Sequence, residues 1–166
     1  MAHAQSPDYP LAKAARYQAL AQEIAAVNAG EPFVIARYAT AASLLHQAFQ
    51  PRFLWTGFYL LAPDAPRTLV VGPYQGTLGC LRIPFGKGVC GMVASEGKPL
   101  IVPDVEAFHG HITCDSRSRS EIVVPVFDAE GALAAVLDID SAEPDAFDSE
   151  DLAGITAICA SLLSRA

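Results

Sequence analysis

The sequence lacks the features that would assign it to a membrane or to nucleic acid. No stretch of about 18 consecutive apolar residues occurs, so we expect no membrane-spanning segment. Eleven Lys and Arg stand against 18 Asp and Glu without a basic cluster, which makes nucleic acid an unexpected partner. The N-terminus, MAHAQSPDYP, has no apolar signal core, and we expect a flexible tail over residues 1–9 of a cytoplasmic protein.

Cysteines are few. The four thiols, at Cys80, Cys90, Cys114 and Cys159, include no CxxC pair and match no zinc-ligand spacing, so we expect neither a metal nor a cofactor. A permanent disulfide framework is not expected without a signal peptide. Cys159 falls on the apolar face of a predicted helix and is interpreted as a core thiol. The other three thiols are either structural or redox-active.

The pattern of apolar residues predicts one α+β domain over residues 10–166. Hairpin-like strands indicate an antiparallel sheet, and helices at both chain ends are expected to pack together on it. Asp8 is the expected cap of the first helix, and Asp148 or Ser149 that of the last. The first helix is expected to present Val27 to the core, and the second Ile35. Strands are expected at 53–62, 68–74, 80–85, 100–105, 121–128 and 132–140, with a short helix within 86–99.

Three cysteines lie at the ends of predicted elements rather than on apolar faces. Cys90 is near the start of the short helix, where the helix N-terminus would lower its thiol pKa. Cys114 lies in a long polar loop, where His111, Arg117 and Arg119 could act in the same way. Thiol redox chemistry and scattered inert thiols both remain open at this point.

Acidic residues are concentrated on neighbouring strands. Asp138 and Asp140 are two apart, so their side chains share one face of a strand, and Glu121 opens the preceding strand. They either emerge into solvent or line a pocket that holds an ammonium group or raises a carboxyl pKa. Trp55 and Tyr59, four apart, also share a face, either as core or as a pocket wall.

Three further patterns give weaker signals of function. The stretch FGKGVCG has glycines but not the spacing of a phosphate-binding loop. His109 and His111 form an HxH pair that could bind a metal ion, although loop histidines more often hydrogen-bond locally. Ser116, Ser118 and Ser120 are expected to satisfy loop backbone groups rather than to act as nucleophiles.

Several segments together resemble free methionine-(R)-sulfoxide reductases, which are small enzymes built on the GAF fold. The resemblance covers residues 10–163 and rests on WTGFYLL, CLRIPFGKGVCG, VPDVEAFHGHITCDSRSRSEIVVPV and VLDIDS. It implies a central antiparallel sheet, with the terminal helices on one face and a ligand pocket under loops on the other. It also implies a homodimer.

The resemblance implies a thiol cycle. Cys114 matches the nucleophile, which attacks the sulfoxide of free L-methionine (R)-sulfoxide, releases methionine and becomes a sulfenic acid. Cys80 matches the resolving cysteine that forms a disulfide with Cys114, and Cys90 matches a third position that could relay an alternative disulfide. A thioredoxin-type reductant would reset the enzyme.

The resemblance also assigns the remaining site residues. Glu121, Asp138 and Asp140 match substrate-binding carboxylates, and Trp55 and Tyr59 match the wall that receives the S-methyl group. The alternatives are a non-catalytic GAF module that binds a small ligand and a thiol-based redox sensor that oxidises without turnover.

Overall fold

The computed structural model describes residues 12–163. The expected tail over residues 1–9 and the expected helix cap Asp8 lie outside this part of the chain. The order of elements agrees with the sequence-based expectation. The elements are α1 (Lys13–Val27), α2 (Val34–Ala48), β1 (Trp55–Leu61), β2 (Thr68–Gln75), β3 (Arg82–Pro84), α3 (Gly88–Glu96), β4 (Leu100–Val102), β5 (Ser120–Phe127), β6 (Leu133–Ser141) and α4 (Ser149–Leu162).

The six strands form one sheet in the order β3-β2-β1-β6-β5-β4, and every neighbouring pair is antiparallel. Its centre is the pairing of β1 with β6, which are far apart in sequence. β4 forms one edge and ends just before Pro103, in keeping with the missing proline N–H. The long loop between β4 and β5 therefore begins at this edge of the sheet.

Helices α1, α2 and α4 cover one face of the sheet. Strand residues such as Phe58, Leu137 and Ile139 are fully buried beneath them. Asp148 caps α4 as expected, since its side chain accepts from two backbone N–H groups of the first turn. The expected burial of Val27 and Ile35 was wrong, because these residues lie in the terminal turns of α1 and α2 and are 59% and 37% exposed.

The opposite face carries α3 and the β4–β5 loop. A second apolar cluster lies there, which includes Trp55, Tyr59, Cys90, Val123 and Val136. The prediction of an α+β fold, with terminal helices on one face and loops over a pocket on the other, is confirmed. Within residues 12–163, no helix combines the length and apolar character needed to cross a membrane.

Candidate active site

A cavity lies on the sheet face opposite the terminal helices. Its volume is about 30 Å³, the space of one or two water molecules. Strands β1, β5 and β6 form its floor, and α3, the segment before β3 and the β4–β5 loop form its walls. Of the site residues expected from the sequence, the lining includes Trp55, Tyr59, Cys90, Cys114, Glu121, Asp138 and Asp140. Cys80 is not in the lining, but its neighbour Gly79 is.

The register of the central strands brings the acidic residues together. Asp140 of β6 lies opposite Trp55 of β1 on one side and opposite Glu121 of β5 on the other. Asp138 lies one pleat further along the same face. Glu121 and Asp138 are each 5% exposed. Of the two alternatives for the aspartate pair, burial of Asp138 therefore favours a pocket over a strand end that emerges into solvent. Glu121, Asp138 and Asp140 are called the carboxylate cluster below.

A glycine opposite the carboxylate cluster makes room for the tryptophan ring. Gly57 pairs with Asp138, and a Cβ at Gly57 would lie 2.6 Å from the Trp55 ring and 2.3 Å from Cβ of Tyr74. The Trp55 ring stacks on both Tyr59 and Tyr74. Two of these rings, from Trp55 and Tyr59, line the cavity. The sequence analysis missed Gly57, since nothing in the strand pattern shows that a neighbouring ring folds over it.

The carboxylate cluster is electrostatically unusual. Burial, with repulsion from neighbouring carboxylates, raises the pKa of both Glu121 and Asp138 well above the ordinary carboxyl range. Burial raises the pKa of Asp140 to about 6, although a hydrogen bond from Ser118 opposes the shift. The Oδ1 atom of Asp138 has no hydrogen-bond partner. These shifts favour the protonated form of the cluster relative to ordinary carboxyl groups.

Cys90 does not have the activated thiol that its position near a helix start suggested. Its side chain is buried, and its Sγ lies 3.9 Å from Oε1 of Glu121. Burial, with the negative charges of Asp138 and Glu121, raises the thiol pKa well above its usual value. The expected lowering of the thiol pKa was wrong, because desolvation and nearby negative charge outweigh the dipole of a nine-residue helix.

Cys80 and Cys114 form a disulfide at the cavity. Their Cα atoms are 5.3 Å apart, although 34 residues separate them in sequence. Cys114 is on the exposed side of the β4–β5 loop, and Cys80 is half-buried just before β3. Cys90 and Cys159 are free and buried. The pairing implied by the family resemblance is thus present without a relay through Cys90.

Side chains next to the two cysteines hold their segments together. The Thr77 hydroxyl donates to Oδ2 of Asp115 at 2.6 Å, and the Arg117 guanidinium pairs with the same carboxylate at 2.8 Å. The Thr77 carbonyl in turn accepts from Nε1 of Trp55 at 3.0 Å. Thr77, Asp115 and Arg117 are called the loop latch below. It ties the turn before Cys80 to the loop that carries Cys114.

The basic residues expected beside Cys114 have other partners in this disulfide state. Arg117 is engaged by Asp115, and Nε2 of His111 lies 3.7 Å from Oε2 of Glu121. Burial lowers the pKa of His111. The HxH pair is split, because His109 is exposed while His111 lines the cavity.

The loop serines behave only partly as expected. Ser120 satisfies backbone, since its hydroxyl donates to the Glu143 carbonyl at 2.6 Å. Ser118 instead donates to Oδ1 of Asp140 at 2.6 Å and so belongs to the site. The sequence offered one signal for Ser118 and Asp115, namely their position in the same polar loop as Cys114. It offered none for Thr77.

Three buried groups lie close enough to share a cation. Ligand atoms of Cys90, Glu121 and Asp138 all lie within 4.8 Å of one another. Thiol and carboxylate groups can both ligate metals, and carboxylates also bind ammonium groups. The geometry thus combines a redox-active cysteine pair with a buried cluster that can receive positive charge and supply protons.

Comparison with known proteins agrees with this geometry. A family model described as the GAF domain matches residues 17–165. The free methionine-R-sulfoxide reductase of Escherichia coli (strain K12) is 40% identical over 88% of this chain and 86% of its own length. That of Saccharomyces cerevisiae is 41% identical over 70% of this chain and 67% of its own.

A solved structure extends the likeness to three dimensions. The X-ray structure of free methionine-R-sulfoxide reductase from Neisseria meningitidis in complex with its substrate superimposes with a TM-score of 0.87. It is 41% identical in sequence, and the match covers 93% of this chain and 90% of that one. With the disulfide, the cavity and the carboxylate cluster in place, this chain belongs to the free methionine-(R)-sulfoxide reductase family of GAF-domain proteins.

Proposed function

We propose that this protein reduces free L-methionine (R)-sulfoxide to L-methionine. The observation that carries the proposal is the Cys80–Cys114 disulfide at a cavity whose floor is the buried carboxylate cluster. A non-catalytic ligand-binding module needs no such cysteine pair. A redox sensor needs the pair but not buried carboxyl groups with raised pKa values beside it.

The carboxylate cluster supports recognition of a free amino acid. A free substrate carries an ammonium group, and an ionised carboxylate in a buried site attracts it strongly. Asp138 offers an unpaired oxygen for that group, and Asp140 is already oriented by Ser118. Trp55 and Tyr59 supply the apolar surface on which the S-methyl group would rest. A methionine within a polypeptide has no free ammonium group and would gain nothing from these carboxylates.

The reduction itself requires a nucleophile and an acid. The Cys114 thiolate attacks the sulfoxide sulfur while a protonated carboxyl group transfers its proton to the sulfoxide oxygen. Glu121, whose pKa is raised by burial and by neighbouring carboxylates, is the proposed acid, whereas Asp138 and Asp140 receive the ammonium group. Methionine leaves and the oxygen stays on Cys114 as a sulfenic acid. The Cys80 thiol then attacks that sulfur, a disulfide forms, and water departs.

Substrate entry requires the reduced protein. The cavity of about 30 Å³ beside the disulfide is far below the ~300 Å³ at which small-molecule sites usually begin. Breaking the disulfide frees the β4–β5 loop from Cys80, and the loop latch still joins the two segments. Reduction would therefore open the site as well as restore the nucleophile.

A dithiol reductant of the thioredoxin type would complete the cycle by thiol–disulfide exchange at the exposed Cys114 side. This need for a reducing partner supports a cytoplasmic location. We also propose a homodimer. Its support is a groove between α1 and α4 that is lined by small apolar side chains, among them Ala21, Ala153 and Ala157.

A coupled assay tests the proposed function. The protein is incubated with free methionine sulfoxide, thioredoxin, thioredoxin reductase and NADPH. We expect NADPH oxidation with the R epimer and none with the S epimer or with a peptide-bound sulfoxide. No NADPH oxidation with the free R epimer, together with no methionine released by the prereduced protein, would contradict the proposal.

Cysteine variants test the assigned roles. Cys114→Ser should abolish methionine release, because the thiolate that attacks the sulfoxide is removed. Cys80→Ser should release one equivalent of methionine and then stall in thioredoxin-dependent recycling. Cys159→Ser, a free buried thiol on the other sheet face, is the matched control and should turn over normally. Full turnover by Cys114→Ser would show that another residue is the nucleophile.

A further inference from the structure

The geometry points to a binding site for a thiophilic divalent cation such as Zn²⁺, formed by Cys90, Glu121 and Asp138. Ligand atoms from the three residues lie within 4.8 Å of one another, and all three side chains are buried. Bonds of about 2.0–2.3 Å around a tetrahedral zinc ion place the ligand atoms about 3.3–3.8 Å apart, so the three groups would close by up to about 1 Å on binding. Small side-chain rotations would complete the coordination.

The carboxylates of this site lack a protein cation. Among residues 12–163, no Lys or Arg forms an ion pair with Glu121, Asp138 or Asp140. Oδ1 of Asp138 is buried without a hydrogen-bond partner. A buried carboxyl oxygen that lacks a partner is costly unless something occupies its lone pairs. The arrangement thus favours a positively charged ligand.

The thiol and the imidazole distinguish a metal from an ammonium group. An ammonium ion seeks strong hydrogen-bond acceptors, and a thiol sulfur is a weak one. Thiolate, carboxylate and imidazole are instead the donors that Zn²⁺ prefers. His111 supplies the imidazole at the edge of the site, with its Nε2 3.7 Å from Oε2 of Glu121. It lies outside the group of three and would have to move toward them to become a fourth ligand.

The cavity can admit an ion in the disulfide form. Its volume of about 30 Å³ accommodates an ion with a water molecule, and exposed Leu78 in its lining shows that it reaches the protein surface. On binding, the Cys90 thiol and any protonated carboxyl group of the site release their protons to solvent as the bonds to the metal form, without any change in oxidation state. The metal would occupy carboxylates that the proposed function assigns to substrate, so it would act as an inhibitor and not as a cofactor. The inhibitory role rests on the proposed function, whereas the binding site does not.

The test uses the full chain in its oxidised form, because Cys80 and Cys114 are then locked in the disulfide and only two thiols stay free. Co²⁺ is titrated into chelator-treated protein, and absorption from sulfur-to-cobalt charge transfer reports a thiolate ligand. We expect saturable absorption that Zn²⁺ abolishes. Absence of this absorption would overturn the inference, whatever the outcome of the turnover assay.

Variants locate the ion. Cys90→Ser should eliminate the charge-transfer absorption, and Asp138→Asn should weaken Co²⁺ binding about tenfold or more. Cys159→Ser should retain both the absorption and the affinity. If Cys159→Ser loses the absorption and Cys90→Ser keeps it, the thiolate ligand lies in the helical core and the proposed site is wrong. Circular dichroism of each oxidised variant confirms that loss of absorption does not reflect unfolding.

Discussion

At the residue scale, Asp138 combines its proposed role in substrate binding with a cost in stability. It is buried, one of its oxygens is unpaired, and burial with repulsion from Asp140 raises its pKa. Above about pH 4, where an unfolded aspartate has lost its proton, the folded protein still holds one. The free energy of unfolding therefore falls as pH rises from that point through the raised folded-state pKa.

Asp138→Asn should change both the stability of the protein and its affinity for substrate. The amide keeps the shape and removes the charge, so the free energy of unfolding at pH 8 should rise, on the order of 1 kcal/mol, and depend less on pH. KM for methionine sulfoxide should rise about tenfold, since a charged hydrogen bond to the ammonium group is lost. Urea unfolding at pH 5 and pH 8 and steady-state kinetics measure the two effects. Glu96→Gln, at an exposed helix end, is the control and should change neither.

Two features of Cys90 have opposite effects on its thiol pKa. Its place in the first turn of α3 predicts a lowered thiol pKa, whereas burial, together with the neighbours Asp138 and Glu121, raises that pKa. The helix position is visible in the sequence, and the carboxyl neighbours come from strands more than 30 residues away. The stronger influence is therefore the one that local sequence does not reveal.

At the scale of elements, the loop latch governs how the β4–β5 loop meets the segment before β3. Asp115 accepts from both Thr77 and Arg117, and these hydrogen bonds hold its pKa well below the usual range. The latch joins two segments that otherwise meet at the Cys80–Cys114 disulfide. It should therefore favour the disulfide by keeping the two cysteines close together.

Thr77→Val tests the loop latch, because it removes the hydroxyl and preserves the side-chain shape. Loss of one hydrogen bond to a charged group, about 1 kcal/mol, should shift the thiol–disulfide equilibrium with glutathione about fivefold toward the reduced form. Alkylation of free thiols followed by mass spectrometry gives the equilibrium. Thr113→Val, in the same loop and exposed, should leave it unchanged. Equal shifts in both variants would show that the latch does not control the disulfide.

At the scale of the whole molecule, Asp151 links α4 to α1, which are far apart in sequence. It is fully buried at the start of α4 and accepts from Tyr17 of α1 at 2.7 Å and from Arg52 at 2.6 Å. Lys13 pairs with it at 2.9 Å. Burial pushes its pKa upward, yet the hydrogen bonds from Arg52, Lys13 and Tyr17 together hold the pKa below its ordinary value. The carboxylate is thus a charged centre shared by α1, α4 and the segment before β1.

Asp151→Asn should destabilise the whole fold. Breaking a buried ion pair leaves its cationic partners uncompensated, and we expect a loss of about 3 kcal/mol in the free energy of unfolding. In the unsubstituted protein this contribution is present above the unfolded carboxyl pKa and is lost as pH falls through the lowered folded-state pKa. Urea denaturation measures both effects. Glu150→Gln, the adjacent exposed carboxyl group, is the matched control, and a loss of equal size there would rule out a special role for Asp151.

The sequence by itself determined the elements and much of the site. Apolar spacing predicted the order of helices and strands, and the two-residue alternation in VLDIDS correctly placed Asp138 and Asp140 on one face. The family motifs carried the pairing of Cys80 with Cys114. These features are local or motif-borne, so they can be interpreted from neighbouring residues alone.

Only the tertiary structure decided how those elements meet. The register of β1 against β6 sets Trp55 opposite Asp140, and Gly57 leaves space for the ring that lies over it. The packing of α3 on the sheet puts Cys90 against Glu121, which reverses the expected shift of its thiol pKa. Burial and charge act through space, and the distances that determine their strength exist only after the chain has folded.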